Sequence, residues 1–225
     1  MLRTTPLALL LLANWLLLCR AIPATGGVGD GSRHSSLVPD SDVPFNVTFS
    51  VVATVGERSE SFVVEVHPEW APIGAARFRA LVDADFFHNQ RFWRVSPGAF
   101  AQFGIAARPD VQKNWHYARL KDEPVKHSNL RGTLAFNFDQ REWFRQDSRT
   151  TDLFFNLVDA AAQDGQGFAP FAKVVGDGMQ VVDRLFGGYV APIPDPYRIE
   201  HEGTRYLKTE FPKLSVLNSV AHRPR

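Results

Sequence analysis

Phe92-Trp93-Arg94-Val95-Ser96-Pro97-Gly98-Ala99-Phe100-Ala101-Gln102-Phe103-Gly104 sets two short apolar runs on either side of a Pro-Gly turn signal. Arg94 and Gln102 are its only strongly polar side chains, set among Phe92, Trp93, Val95, Phe100 and Phe103. Runs of this kind read as neighbouring strands. If the turn holds the register, the period of two puts Phe92, Arg94, Phe100 and Gln102 on compatible faces. A guanidinium and an amide held beside apolar rings suit recognition of a peptide with an apolar side chain. Spacing alone leaves a second reading open, in which Arg94 is an ordinary surface charge and the rings are core.

Working outward, residues 45–55 alternate apolar Phe45, Val47, Phe49, Val51, Ala53 and Val55 with mostly polar neighbours, the pattern of a half-buried strand. Phe62, Val64 and Val66 resume the alternation after a turn, which predicts a hairpin with Asn46 pointing outward. Pro72 opens a helix whose stripe is Gly74, Phe78, Leu81 and Val82. Residues 105–129 read as irregular. Strands are expected at 132–138, 152–158 and 168–175. A second helix carries Met179, Val182 and Phe186 and ends at Gly187-Gly188, and a last strand covers about 213–220. Many short strands with two helices and no βαβ alternation argue for an antiparallel barrel.

The length of 225 residues suits one domain with a substantial core. A formal charge of +1 gives no reason to invoke nucleic acid. Residues 1–24 carry Arg3, an apolar run at 7–18 and small residues Ala21 and Ala24, the pattern of a secretory signal peptide. The run is shorter than the roughly 20 residues of a membrane span, so no span is expected after cleavage. An uncleaved signal anchor is the alternative. The only cysteine, Cys19, would leave with the signal, and with it any disulfide, thiolate nucleophile or Cys-ligated zinc. Residues 25–44, rich in Gly, Ser, Asp and Pro, read as a flexible leader, the globular domain as 45–220, and 221–225 as a tail. Asn46-Val47-Thr48 fits a glycosylation acceptor. There is no Gly-x-Ser-x-Gly elbow and no His-Glu-x-x-His, and the seven histidines are scattered, so a Ser/His triad or metal site has little support.

The opening stretch resembles the F-x-R-V-x-P-G-x-x-x-Q-x-G signature of the cyclophilins, the peptidyl-prolyl cis/trans isomerases. Runs beginning at Gln102, Lys121, Arg131 and Gly167 are similar to a divergent branch of that family, and the resemblance covers roughly residues 45–219 in order. It implies a mainly β fold, a closed eight-stranded antiparallel barrel capped by two α-helices. It also implies activity on proline-containing peptides or proteins, with no metal or organic cofactor, in a protein expected to be a monomer.

Such catalysis needs few parts. Rotation about the imide bond breaks conjugation over a barrier of roughly 18–20 kcal/mol. In the twisted state the proline nitrogen regains its lone pair, so a donor aimed at it stabilises the transition state above either ground state. Arg94 is the candidate donor, a guanidinium that stays charged and offers its N–H groups in a fixed fork. By resemblance Gln102 orients Arg94 or the substrate backbone, Phe100 and Phe154 form the proline socket, and Phe168 stands near the usual histidine. Phe92 and Asn137 complete the expected substrate-binding set.

Departures from the pattern temper this. Trp93 stands where many cyclophilins have histidine, a neutral difference because the similar branch has an aromatic there, while Ala99 stands where a pocket phenylalanine is usual, which would leave one wall missing unless a bulge restores Phe100. The loop after Phe136 is longer and bulkier than the family's, and its Trp143 and Phe144 are candidate gate residues that cover the groove, select a partner or pack down inertly. Asp152 replaces the usual glutamine and would divert Arg94 if the two paired. No tryptophan falls at 158–171, where cyclosporin-sensitive members have one, so weak cyclosporin binding is expected. Two alternatives to the enzyme stay open: a catalytically weak module that binds proline-containing segments, and a structural partner anchored through Trp143 and Phe144.

Overall fold

The computed structural model describes residues 43–139 and 146–223. Trp143, Phe144, the expected signal peptide and nearly all of the leader lie outside these residues.

Strand β1 (Phe45–Val52) forms where the alternation predicts it, with Val47, Phe49 and Val51 wholly buried and Asn46 exposed. It pairs antiparallel with β2 (Glu60–Val66), Phe49 opposite Phe62. Helix α1 (Pro72–Asp83) follows, then β3 (Gln90–Arg91), β4 (Arg94–Ser96) and β5 (Phe100–Phe103). Next come α2 (Pro109–Lys113), β6 (Thr133–Phe136), β7 (Leu153–Asn156), a 3₁₀ turn (Ala161–Gln166) and β8 (Pro170–Val175). Helices α3 (Gly178–Val182), α4 (Pro196–Glu202) and α5 (Thr204–Glu210) precede β9 (Val216–His222).

The mainly β antiparallel class is as expected, but the strand count is not. Among the described residues nine strands hydrogen-bond in one curled sheet, ordered β3-β9-β1-β2-β8-β6-β7-β5-β4, rather than eight in a closed ring. The two edges, β3 and β4, are separated in sequence only by Phe92 and Trp93, so the chain itself ties one edge to the other. That joint interrupts the period of two. Phe92 turns into the main core and Trp93 into a second apolar cluster.

The main core is a lattice of phenyl rings. Phe49 stacks on Phe62 at 5.0 Å and meets Phe155 and Phe103 edge-on at 5.5 and 5.8 Å. Burying each such ring contributes roughly 1.5–3 kcal/mol. The expected stripe of α1 is buried, with Phe78 set against Phe49 and Phe171. Its N-terminus has no local cap. Instead Glu123, from the irregular stretch, accepts from Ile73 N–H at 2.8 Å and Gly74 N–H at 2.9 Å. The buried Arg149 guanidinium lies 3.7 Å from Glu123 and 3.3 Å from Asp122.

Several sequence expectations need correcting. Five α-helices stand among the described residues where two were expected. The helix expected to run to Gly187-Gly188 ends at Val182, because after a further tight turn the Phe186 N–H is taken by the buried Ser215 hydroxyl at 2.8 Å. The tail begins later than 221, since β9 continues to His222 along β1. The missed helices α4 and α5 bring Ile199, Tyr206, Leu207 and Phe211 onto Trp93 and Ile105.

Candidate active site

Strand register assembles the site. Arg94 lies opposite Gln102, Gln102 opposite Phe154, and Ser96 opposite Phe100. Opposed residues share a face, so Arg94, Gln102, Phe100 and Phe154 point to one side while Ala101, Phe103 and Phe155 point into the core. The register depends on the Pro97-Gly98 turn, where Gly98 takes φ +73 and Ala99 N–H bonds Ser96 O at 3.0 Å. Gly104 closes the stretch at φ +107 against the Thr151 carbonyl, where a side chain would collide with backbone.

On that face lies a hollow of about 230 Å³. It is lined by Arg94, Phe100, Gln102, Asn137, Phe138, Asp139, Phe154, Gln163, Gln166 and Phe168. The rings form a continuous floor. Phe100 meets Phe154 at 6.5 Å, Phe154 meets Phe168 edge-on at 5.3 Å, and Phe168 meets Phe138 at 4.8 Å. The Arg94 guanidinium stands 4.9 Å over the Phe100 ring. Phe100 therefore supplies the wall that Ala99 was expected to leave open.

Of the expected site residues, Arg94, Gln102, Phe100, Phe154, Phe168 and Asn137 come together. Phe92 does not. It is wholly buried, 5.2 Å from Phe103, because the joint between β3 and β4 breaks the alternation that would have put it beside Arg94. Phe138, Asp139, Gln163 and Gln166 were missed. The two glutamines sit on the 3₁₀ turn, whose fold over the hollow has no periodic signature.

Asp152 does not pair with Arg94. Its carboxylate accepts from Gln102 Nε2 at 2.5 Å, Asn137 Nδ2 at 2.9 Å and Trp93 Nε1 at 3.4 Å. The guanidinium is thus left at the rim of the hollow, with Phe100 beneath it. Removal from water pushes the Asp152 carboxyl up to about 7, against the lowering effect of those hydrogen bonds.

An apolar floor that fits a proline ring, with a fixed cation and two amides above it, can grip an Xaa-Pro segment and offer N–H groups to a twisting imide. Among the described residues no three His, Cys, Asp or Glu side chains are placed to hold a metal ion, and no helix is long and apolar enough to cross a membrane.

The family model for "Cyclophilin type peptidyl-prolyl cis-trans isomerase/CLD" matches residues 50–201. The chain belongs to the cyclophilin-type peptidyl-prolyl isomerases. This cyclophilin is 34% identical over 151 residues to peptidyl-prolyl cis-trans isomerase A of Dickeya dadantii (strain 3937), covering 63% of this chain and 74% of that protein. Its fold is similar to the crystal structure of a Cryptosporidium parvum cyclophilin type peptidyl-prolyl cis-trans isomerase. That likeness has a TM-score of 0.55 at 12% identity and covers 81% of this chain and 99% of the other.

Proposed function

We propose that this cyclophilin isomerises Xaa-Pro bonds of client proteins at the Arg94 hollow, acting as a monomer in an extracytoplasmic or secretory compartment. The carrying observation is the cross-strand pair Arg94–Gln102 standing beside the Phe100–Phe154–Phe168 floor, with the Asp152 carboxylate held by Gln102, Asn137 and Trp93 and not by Arg94. Phe154 and Phe168 hold the proline ring, Phe100 fixes the plane of Arg94, and Arg94 donates to the imide nitrogen as it pyramidalises. Exchange NMR on a short Xaa-Pro peptide tests this, with catalytic amounts of protein expected to accelerate cis/trans exchange. Peptide shifts without acceleration would mean that the hollow binds proline and does not catalyse.

The compartment rests on residues 1–24 and on the exposed Asn46 of the acceptor triplet. Translation with microsomes is expected to yield a protease-protected, endoglycosidase-sensitive species that Asn46→Gln abolishes. An unshifted, protease-accessible chain would assign another compartment. Cyclosporin binding is expected to be weak, because no tryptophan falls at 158–171, where the family resemblance places one in sensitive members. Nanomolar affinity by calorimetry would contradict this.

A further inference from the structure

We propose that Asp152 is a positioning residue for this isomerase: its carboxylate holds the amides of Gln102 and Asn137 with their oxygens turned away from it, and uptake of a proton releases one amide to turn. The inference rests on the Arg94 hollow being the catalytic site.

The geometry admits little else. One carboxylate oxygen accepts from both Gln102 Nε2 and Asn137 Nδ2, at 2.5 and 2.9 Å, and the other faces Trp93 Nε1 at 3.4 Å. Every partner is a donor. Each NH2 is turned towards Asp152, so the amide oxygen stands on the other side of the group, able to face the hollow that both residues line. There it can accept from the Arg94 guanidinium or from a substrate N–H. A neutral carboxyl brings an O–H that needs an acceptor. The indole cannot accept, so the side-chain acceptors within reach are the Gln102 and Asn137 oxygens, and turning either amide exchanges an acceptor for a donor on the wall of the hollow.

The surroundings place this exchange near neutral pH. Asp152 is partly exposed and lines a second hollow with Asp139, Asp195, Tyr197 and Glu200. Arg94 stands on β4, across β5 from the strand that Asp152 precedes. His116 lies 3.5 Å from Glu200, Arg108 pairs with Asp110 on α2, and Arg198 pairs with Glu202 and Glu210. Burial carries the carboxyl up to about 7. A raised folded-state value means that the native protein binds this proton more tightly than the unfolded chain. The stability that Asp152 contributes is therefore lost as pH rises from the ordinary carboxylate range towards 7, opposite in direction to the activity.

The test is kcat/KM by exchange NMR on the intact protein from pH 5.5 to 8.5, with a peptide lacking ionisable side chains. If only the carboxylate form is active, kcat/KM rises about 30-fold with a midpoint near 7. Asp152→Asn, which keeps an acceptor for the two amides and cannot titrate, should flatten that profile. In the unsubstituted protein, the side-chain amide resonances of Gln102 or Asn137 should move with the same midpoint, a readout that needs neither catalysis nor a folded variant. A flat parent profile with amide resonances that do not titrate overturns the proposal. Titrating amides in a protein that accelerates no peptide at any pH would support the clamp and overturn the catalytic reading.

Discussion

Arg94→Ala is expected to lower kcat/KM by about 10²–10³-fold, the loss typical of removing one preorganised donor from a site where charge develops. Peptide binding should change far less. The floor of Phe100, Phe154 and Phe168 stays in place, and the guanidinium touches it only at the rim. The stability of the fold should also hold, since Arg94 is half-buried and its contact is with the Phe100 ring. Arg94→Lys keeps the charge and loses the fork, so it should recover only part of the rate. Exchange NMR for the rate and chemical-shift titration for binding separate the two effects. Parent-like acceleration by Arg94→Ala would overturn Arg94 as the donor.

Glu123→Ala should be the most damaging single change away from the hollow, costing about 3–5 kcal/mol. Both carboxylate oxygens are committed to the first N–H groups of α1, so their loss uncaps the helix that covers the Phe49–Phe78–Phe171 stack. It also takes one of two carboxylate partners from an arginine that is 1% exposed. Asp122 remains, which puts the cost towards the lower end of that range. Glu123→Gln keeps one acceptor oxygen and should lose roughly half as much. Urea unfolding followed by tryptophan fluorescence measures both, and a change below about 1 kcal/mol for the alanine variant would show that Asp122 and water replace the cap.

The hairpin of β1 and β2 and the stripe of α1 were legible in the sequence because they rest on local periodicity. So was the pairing of Arg94 with Gln102, since a Pro-Gly turn five residues from the amide leaves the strands little freedom of register. Phe92 was misplaced for a physical reason. The chain leaves one sheet edge and enters the other within two residues, and alternation does not survive that corner. The partners of Asp152 could not be read, because they depend on three strands meeting across some fifty residues of sequence. Helices α4 and α5 have no clean stripe, their aromatics being shared between both, although Asp195-Pro196 carried a usable start signal. Asp195 caps α4 by accepting from Tyr197 N–H at 2.9 Å, with Pro196 in its first turn.

Trp93 gives the molecule an unusual kind of evolvability. Its ring is embedded with Leu207, Phe211 and Leu214, while its indole nitrogen reaches the Asp152 carboxylate. Substitutions in α4 and α5 would thus reach the Asp152 carboxylate through the packing of one indole ring. On the proposed role of Asp152, a lineage could retune the proton affinity of that carboxyl without altering the Phe100, Phe154 or Phe168 floor.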